Sequence, residues 1–82
     1  MTSYSEIRPY LLQAFANVVR RDYNVHFGDL LISLDGSKGT ISLDHAISYV
    51  VEWHGASVLH LVSSIWMEAD RLRWKLSEGY IE

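Results

Sequence analysis

Apolar residues recur at helical spacing from Ile7 through Tyr10, Leu11, Ala14, Phe15 and Val18, while Gln13, Asn17 and Arg20 take the far side. That 3.6-residue period predicts a half-buried helix over residues 7–22. Ser5 is one candidate N-cap; Pro9 suits the first helical position, where a missing N–H costs nothing, and is the other candidate start. Between Gly28 and Leu43 the period drops to two. Leu30, Ile32 and Leu34 alternate with Leu31 and Ser33, then come the polar Asp35-Gly36-Ser37-Lys38-Gly39 and the strand-like Thr40-Ile41-Ser42-Leu43. This predicts a short β-hairpin turning at the Asp-Gly pair.

The helical period then returns. Leu43, Ala46, Ile47, Val50, Val51 and His54 share one face, and Asp44, His45, Ser48 and Glu52 lie on the other. Ser42 is placed to cap the start of this helix. Gly55 can end it in the left-handed conformation, and Ser57 can cap a successor at once. In that successor Val58, Val62, Ile65, Ala69, Leu72 and Leu76 are spaced four, three, four, three and four apart, a heptad-like seam running to about residue 77. A rival pattern exists, because Ile47, Tyr49, Val51 and Trp53 also alternate, so residues 47–66 fit a hairpin as well. The helical reading is favoured because it keeps Ser48, Ser63 and Ser64 off the apolar face. The expected fold class is therefore α+β and mostly helical: a helix, a β-hairpin, then two C-terminal helices in a single domain over residues 1–82.

Composition narrows the classes. A chain of 82 residues, 49% hydrophobic and 21% charged, is built for one small core rather than for disorder. At this size only about 60% of the unfolded surface is buried, so a partner subunit is one way to gain stability. There is no cysteine, which removes disulfides, thiolate nucleophiles and sulfur-ligated zinc together. Asp44, His45, Glu52, His54 and His60 interrupt the most apolar region, well short of the about 20 apolar residues that span a bilayer. The opening residues Met1-Thr2-Ser3-Tyr4-Ser5-Glu6 have neither a basic nor an apolar leader segment. No membrane and a cytoplasmic location are expected.

Charge is uneven along the chain. Residues 23–70 hold Asp29, Asp35, Asp44, Glu52, Glu68 and Asp70 against Lys38 alone, a net −5, while the flanks each carry +1 and the whole chain −3. A duplex binder needs clustered cations, so nucleic acid is not the expected partner, whereas a basic protein surface is. Arg71, Arg73 and Lys75 around Trp74 are few, point in different directions on a helix and have Glu68, Asp70 and Glu78 nearby.

Other chemistry finds little support. Asp35-Gly36-Ser37-Lys38-Gly39-Thr40 has glycines and a lysine, but Lys38 precedes the glycine and strand residues follow, unlike a phosphate-cradling loop that runs into a helix. His26, His45, His54 and His60 show no metal-ligand spacing, so no metal and no cofactor are expected. With no nucleophile elbow, Asp44, His45 and Glu52 form the best catalytic cluster available, and the chain is not expected to be an enzyme.

The most informative feature is on the last helix, where Met67 and Trp74 fall on one line nearly opposite the apolar seam, flanked by Ser63 and Asp70. A rimmed apolar patch of this kind is the usual composition of a protein contact. The competing expectation is that Tyr80 and Ile81, or the hairpin, cover it. The segment Arg8-Pro9-Tyr10-Leu11-Leu12 with Ala14-Phe15 resembles the opening helix of the stringent starvation protein B family, adaptors that deliver substrates to a protease. The likeness spans eight positions. The hairpin and helices that follow do not resemble that family's β-rich substrate-binding domain, so neither fold nor function carries over. The sequence therefore points to a protein-binding regulator (an inhibitor, adaptor or immunity-like protein) that forms a homodimer or other homo-oligomer. Its partner-binding residues are expected to be Met67, Asp70 and Trp74 with the acidic Asp35, Asp44 and Glu52. A winged-helix-like DNA-binding regulator is the alternative.

Overall fold

A computed structural model describes residues 2–77, without the side chain of residue 77. Helical residues make up 68% of the described chain and the only strands there are two short parallel ones, so the fold is a small, mostly helical α+β domain. The elements run α1 (Tyr4–Ile7), a 3-10 turn (Arg8–Tyr10), α2 (Leu11–Tyr23), β1 (Ile32–Ser33), β2 (Ile41–Ser42), α3 (Leu43–His54) and α4 (Val58–Ser77). Residues 47–66 are helical on both sides of a tight break at Gly55 and not a hairpin.

The N-terminal helix is broken by its proline. Ser3, not Ser5, is the cap: its hydroxyl accepts from the Glu6 amide while the Glu6 carboxylate accepts from the Ser3 amide, a reciprocal capping box. Pro9 lacks the N–H an α-helix needs, and the chain tightens into the 3-10 turn before α2 begins. Ile7, Leu11, Ala14, Phe15, Val18 and Val19 are all buried. Asn24 ends α2 in the left-handed conformation (φ 55°), and the Val25 amide reaches back to the Val19 carbonyl at 3.1 Å.

The expected hairpin is a parallel pair, with Ile32 opposite Ile41 and Ser33 opposite Ser42. The reason lies in the loop between them, which makes two turns where a hairpin makes one. The Ser33 hydroxyl accepts from the Gly36 amide at 2.6 Å and the Asp35 carboxylate accepts from the Ser37 amide at 3.1 Å, closing a first turn. Lys38 and Gly39 then both take positive φ and the Thr40 amide bonds the Ser37 carbonyl, closing a second. Two reversals return the chain to its original direction. Gly36 (φ 68°) is held against β2 so closely that a Cβ there would lie 3.0 Å from the Ser42 amide nitrogen.

Ser42 caps α3, accepting from the His45 amide at 3.1 Å, and Gly55 ends it at φ 69°. Ser57 accepts from the His60 amide at the start of α4. Leu43, Ala46 and Val50 are buried as expected, but His54 is exposed and rests against the Tyr49 ring, 5.8 Å between centroids. On α4 the packed face is Leu61, Ser64, Ile65, Glu68 and Ala69, with Leu72 partly covered. Val58 and Leu76, expected on the seam, are exposed. The seam is turned because α4 lies along α2, whose half-buried Asn17 gives Glu68 a hydrogen-bond partner and so lets a carboxylate occupy the packed face.

Candidate functional site

An α-helix turns 100° per residue, so the face of α4 opposite Leu61, Ile65 and Ala69 carries Leu59, Ser63, Trp66, Met67, Asp70 and Trp74. The large apolar side chains in that line are exposed: Leu59 is 78%, Met67 68%, Trp74 52% and Trp66 37% accessible. Sequence reasoning named Met67 and Trp74 and missed Leu59 and Trp66. The signal was present, since Leu59 and Trp66 are one heptad apart on the same side as Met67. Tyr4 packs against Trp66 with ring centroids 6.4 Å apart, extending the apolar surface onto α1. Arg73 lies over the Trp74 ring at 5.1 Å, a cation–π contact that holds the indole on the helix surface. Tyr80 and Ile81, the expected cover, lie outside the described residues.

Asp70 sits in the middle of this line and is tied down. Its Oδ1 accepts from the Thr2 hydroxyl at 2.7 Å and from the Arg73 guanidinium at 3.1 and 3.2 Å. The Thr2 hydroxyl bond and Arg73 hold its carboxyl below the usual aspartate value, desolvation opposing them. The acidic residues on the other elements are placed differently. Asp35 is engaged in its own loop, where the Ser37 amide and the Ser33 hydroxyl lower its pKa. Asp44 and Glu52 are exposed on α3, eight residues apart and so separated by about 12 Å along the axis. Of the three, Asp44 lies nearest the apolar line: it borders a cleft of about 230 Å³ between α1, α3 and α4 that Tyr4, Ile47, Val62 and Trp66 also line. The six expected partner-binding residues thus form an α4 group, Met67, Asp70 and Trp74, and an acidic group outside it.

The acidic middle of the sequence is smaller in space than in the chain. Glu68 is buried, 6% accessible, and takes hydrogen bonds from Arg71 and from Asn17 with Arg21 at 3.8 Å; the Arg71 bond holds its carboxyl below the ordinary glutamate value. Asp70 pairs with Arg73. These two carboxylates are therefore spent on cations from the flanks, and Asp29, Asp35, Asp44 and Glu52 make up what is left. The same pairs engage Arg71 and Arg73, the core of the basic stretch considered for nucleic acid.

The remaining candidate chemistry is dispersed. In the loop around Gly36 the amides of Gly36 and Ser37 already donate to Ser33 and Asp35, with a carboxylate where a phosphate would need to sit. His45 is exposed on α3 with Asp44 and Glu52. His26 bonds the Asn24 side chain at 3.2 Å. A second apolar cleft of about 480 Å³ lies between α2 and the segment before β1, lined by Leu12, Phe15, Val25, Phe27, Leu30 and Leu31. Among the described residues no helix is long and apolar enough to cross a membrane. No protein-family model, curated protein or solved structure matches the chain, so the resemblance of residues 8–15 to an adaptor's opening helix stays confined to that segment.

Proposed function

We propose that this chain is a small, non-enzymatic, cytoplasmic protein-binding regulator of the inhibitor, adaptor or immunity-like kind, and that it docks through the outward face of α4. The observation that supports this reading is the row of exposed and partly exposed large apolar side chains at Leu59, Trp66, Met67 and Trp74, with the polar Ser63 and Asp70 between them. Leaving Leu59 and Met67 mostly exposed beside the half-exposed Trp74 and the partly exposed Trp66 forgoes part of a burial worth about 1.5–3 kcal/mol for a fully covered side chain, and tryptophan and methionine are the residues enriched at interface centres. Asp35, Asp44 and Glu52 serve this reading as steering charges, raising the encounter rate with a basic partner rather than anchoring it. DNA binding has no comparable support, because Arg71 and Arg73 are paired with Glu68 and Asp70.

A photo-crosslinking phenylalanine analogue in place of Met67, introduced in the cell of origin, tests the reading. Irradiation is expected to join the chain to a polypeptide, a second copy included. The same group in place of the exposed Asp29 should not. Equal capture at both positions, or none at Met67, contradicts a docking role for this face.

A further inference from the structure

The outward face of α4 has the same spacing in both directions. Its residues are Leu59, Ser63, Trp66, Met67, Asp70 and Trp74, spaced four, three, one, three and four apart about a midpoint between Trp66 and Met67. Resting on the reading of this face as a docking surface, we infer that its occupant is a second copy of this chain, with the two α4 helices antiparallel about a twofold axis through that midpoint. Leu59 then meets the partner's Trp74 and Ser63 the partner's Asp70, while at the axis itself Trp66 lies beside the partner's Trp66 on one flank and Met67 beside the partner's Met67 on the other. An isologous interface requires that kind of self-complementarity.

Charge selects the antiparallel direction. The first ten residues of α4, 58–67, contain no Asp, Glu, Lys or Arg, whereas Glu68, Asp70, Arg71, Arg73 and Lys75 all lie in the remainder. A parallel pair would stack the two Asp70 carboxylates on each other inside an apolar seam and align both helix dipoles. The antiparallel pair sets the charged halves at opposite ends and opposes the dipoles. It also gives the polar positions of the face partners: the described bonds of Asp70 all converge on Oδ1, and the Ser63 hydroxyl of the other copy donates to Oδ2.

The area suffices. At about 200 Å² per large side chain, the exposed portions of Leu59, Trp66, Met67, Trp74 and the adjoining Tyr4 amount to about 600 Å² per copy. With every one of these portions covered a pair buries at most about 1,200 Å², the boundary between weak, transient contacts and standard specific interfaces. The polar Ser63 and Asp70 rows separate the apolar contacts, which places the association in the weak to intermediate range rather than among obligate dimers.

Because the chain has no cysteine, its register is readable by disulfide trapping. Ser63→Cys and Asp70→Cys chains, mixed and oxidised in a glutathione buffer, are expected to give the mixed 63–70 disulfide about tenfold over either like-with-like product. Like residues lie about 10 Å apart along the antiparallel pair, beyond disulfide reach. A Leu59→Cys and Trp74→Cys mixture reads the same register and leaves the Thr2 and Arg73 bonds of Asp70 intact. Like-with-like disulfides in excess, or a statistical mixture in both sets, overturn the antiparallel pairing. No trapping in either set overturns the second copy as occupant; the docking reading itself then stands or falls separately on capture of a different polypeptide at position 67.

Discussion

Asn17 and Glu68, fifty-one positions apart, meet through a 2.8 Å hydrogen bond between the Asn17 amide and the Glu68 carboxylate. This bond ties α2 to α4 inside the packed face, and Arg71 completes it from the same helix at 2.8 and 3.1 Å. Glu68→Ala leaves the Asn17 amide without its acceptor and is expected to cost about 2 kcal/mol in urea unfolding, the range for hydrogen bonds to a charged group. A change within about 0.5 kcal/mol would show that the pair is a surface ornament to stability.

Acid sensitivity follows from the same carboxylate. The Arg71 bond holds the Glu68 carboxyl below its ordinary value of 4.5. Its contribution is therefore fully present above the unfolded-state pKa and is lost as pH falls through the lowered folded-state value. Wild type is expected to lose more stability than Glu68→Gln between about pH 5 and pH 3. Parallel stability curves for the two proteins would contradict the coupling.

Gly36 tests the parallel strand pair. With φ at 68° and the Ser42 amide nitrogen 3.0 Å from where a Cβ would lie, Gly36→Ala must both enter an unfavourable backbone region and push β2 away. The expected loss is about 1–3 kcal/mol in thermal or urea unfolding. A neutral substitution would mean that the loop does not hold β1 and β2 in this register.

Local signals carried most of the fold. Ser42, Gly55 and Ser57 each act through the backbone of their own turn, so their capping roles follow from three or four neighbouring residues. The strand direction did not, because Asp35-Gly36 is an ordinary hairpin turn by itself and becomes half of a double turn only when Lys38 and Gly39 also adopt positive φ. The helical period starting at Ile7 points to Ser5 as the cap, whereas Glu6, three residues after Ser3, is the local mark of the cap that forms. The turned seam of α4 was hidden for a different reason: a carboxylate such as Glu68 belongs outside until the tertiary structure supplies Asn17, Arg71 and Arg21. On the candidate site, Met67 and Trp74 were legible from angle alone, and Leu59 and Trp66 were legible by the same rule. Asp70 falls beside Met67 and Trp74 by the same helical spacing, but its clasp by Thr2 and Arg73 joins the two ends of the described chain and has no local signature.

The claim that α4 pairs with α4 of a second copy is tested most directly by light scattering of wild type and Met67→Glu from micromolar to millimolar concentration, with urea unfolding of both under conditions where each is monomeric. Met67 is exposed, so a charge there is expected to change monomer stability by less than about 0.5 kcal/mol. Wild type should rise above monomer mass with concentration, while Met67→Glu, with two carboxylates forced into the apolar centre of the pair, should remain monomeric. Equal masses for the two proteins at every concentration, or a loss of several kcal/mol from the Met67→Glu monomer, would contradict the account.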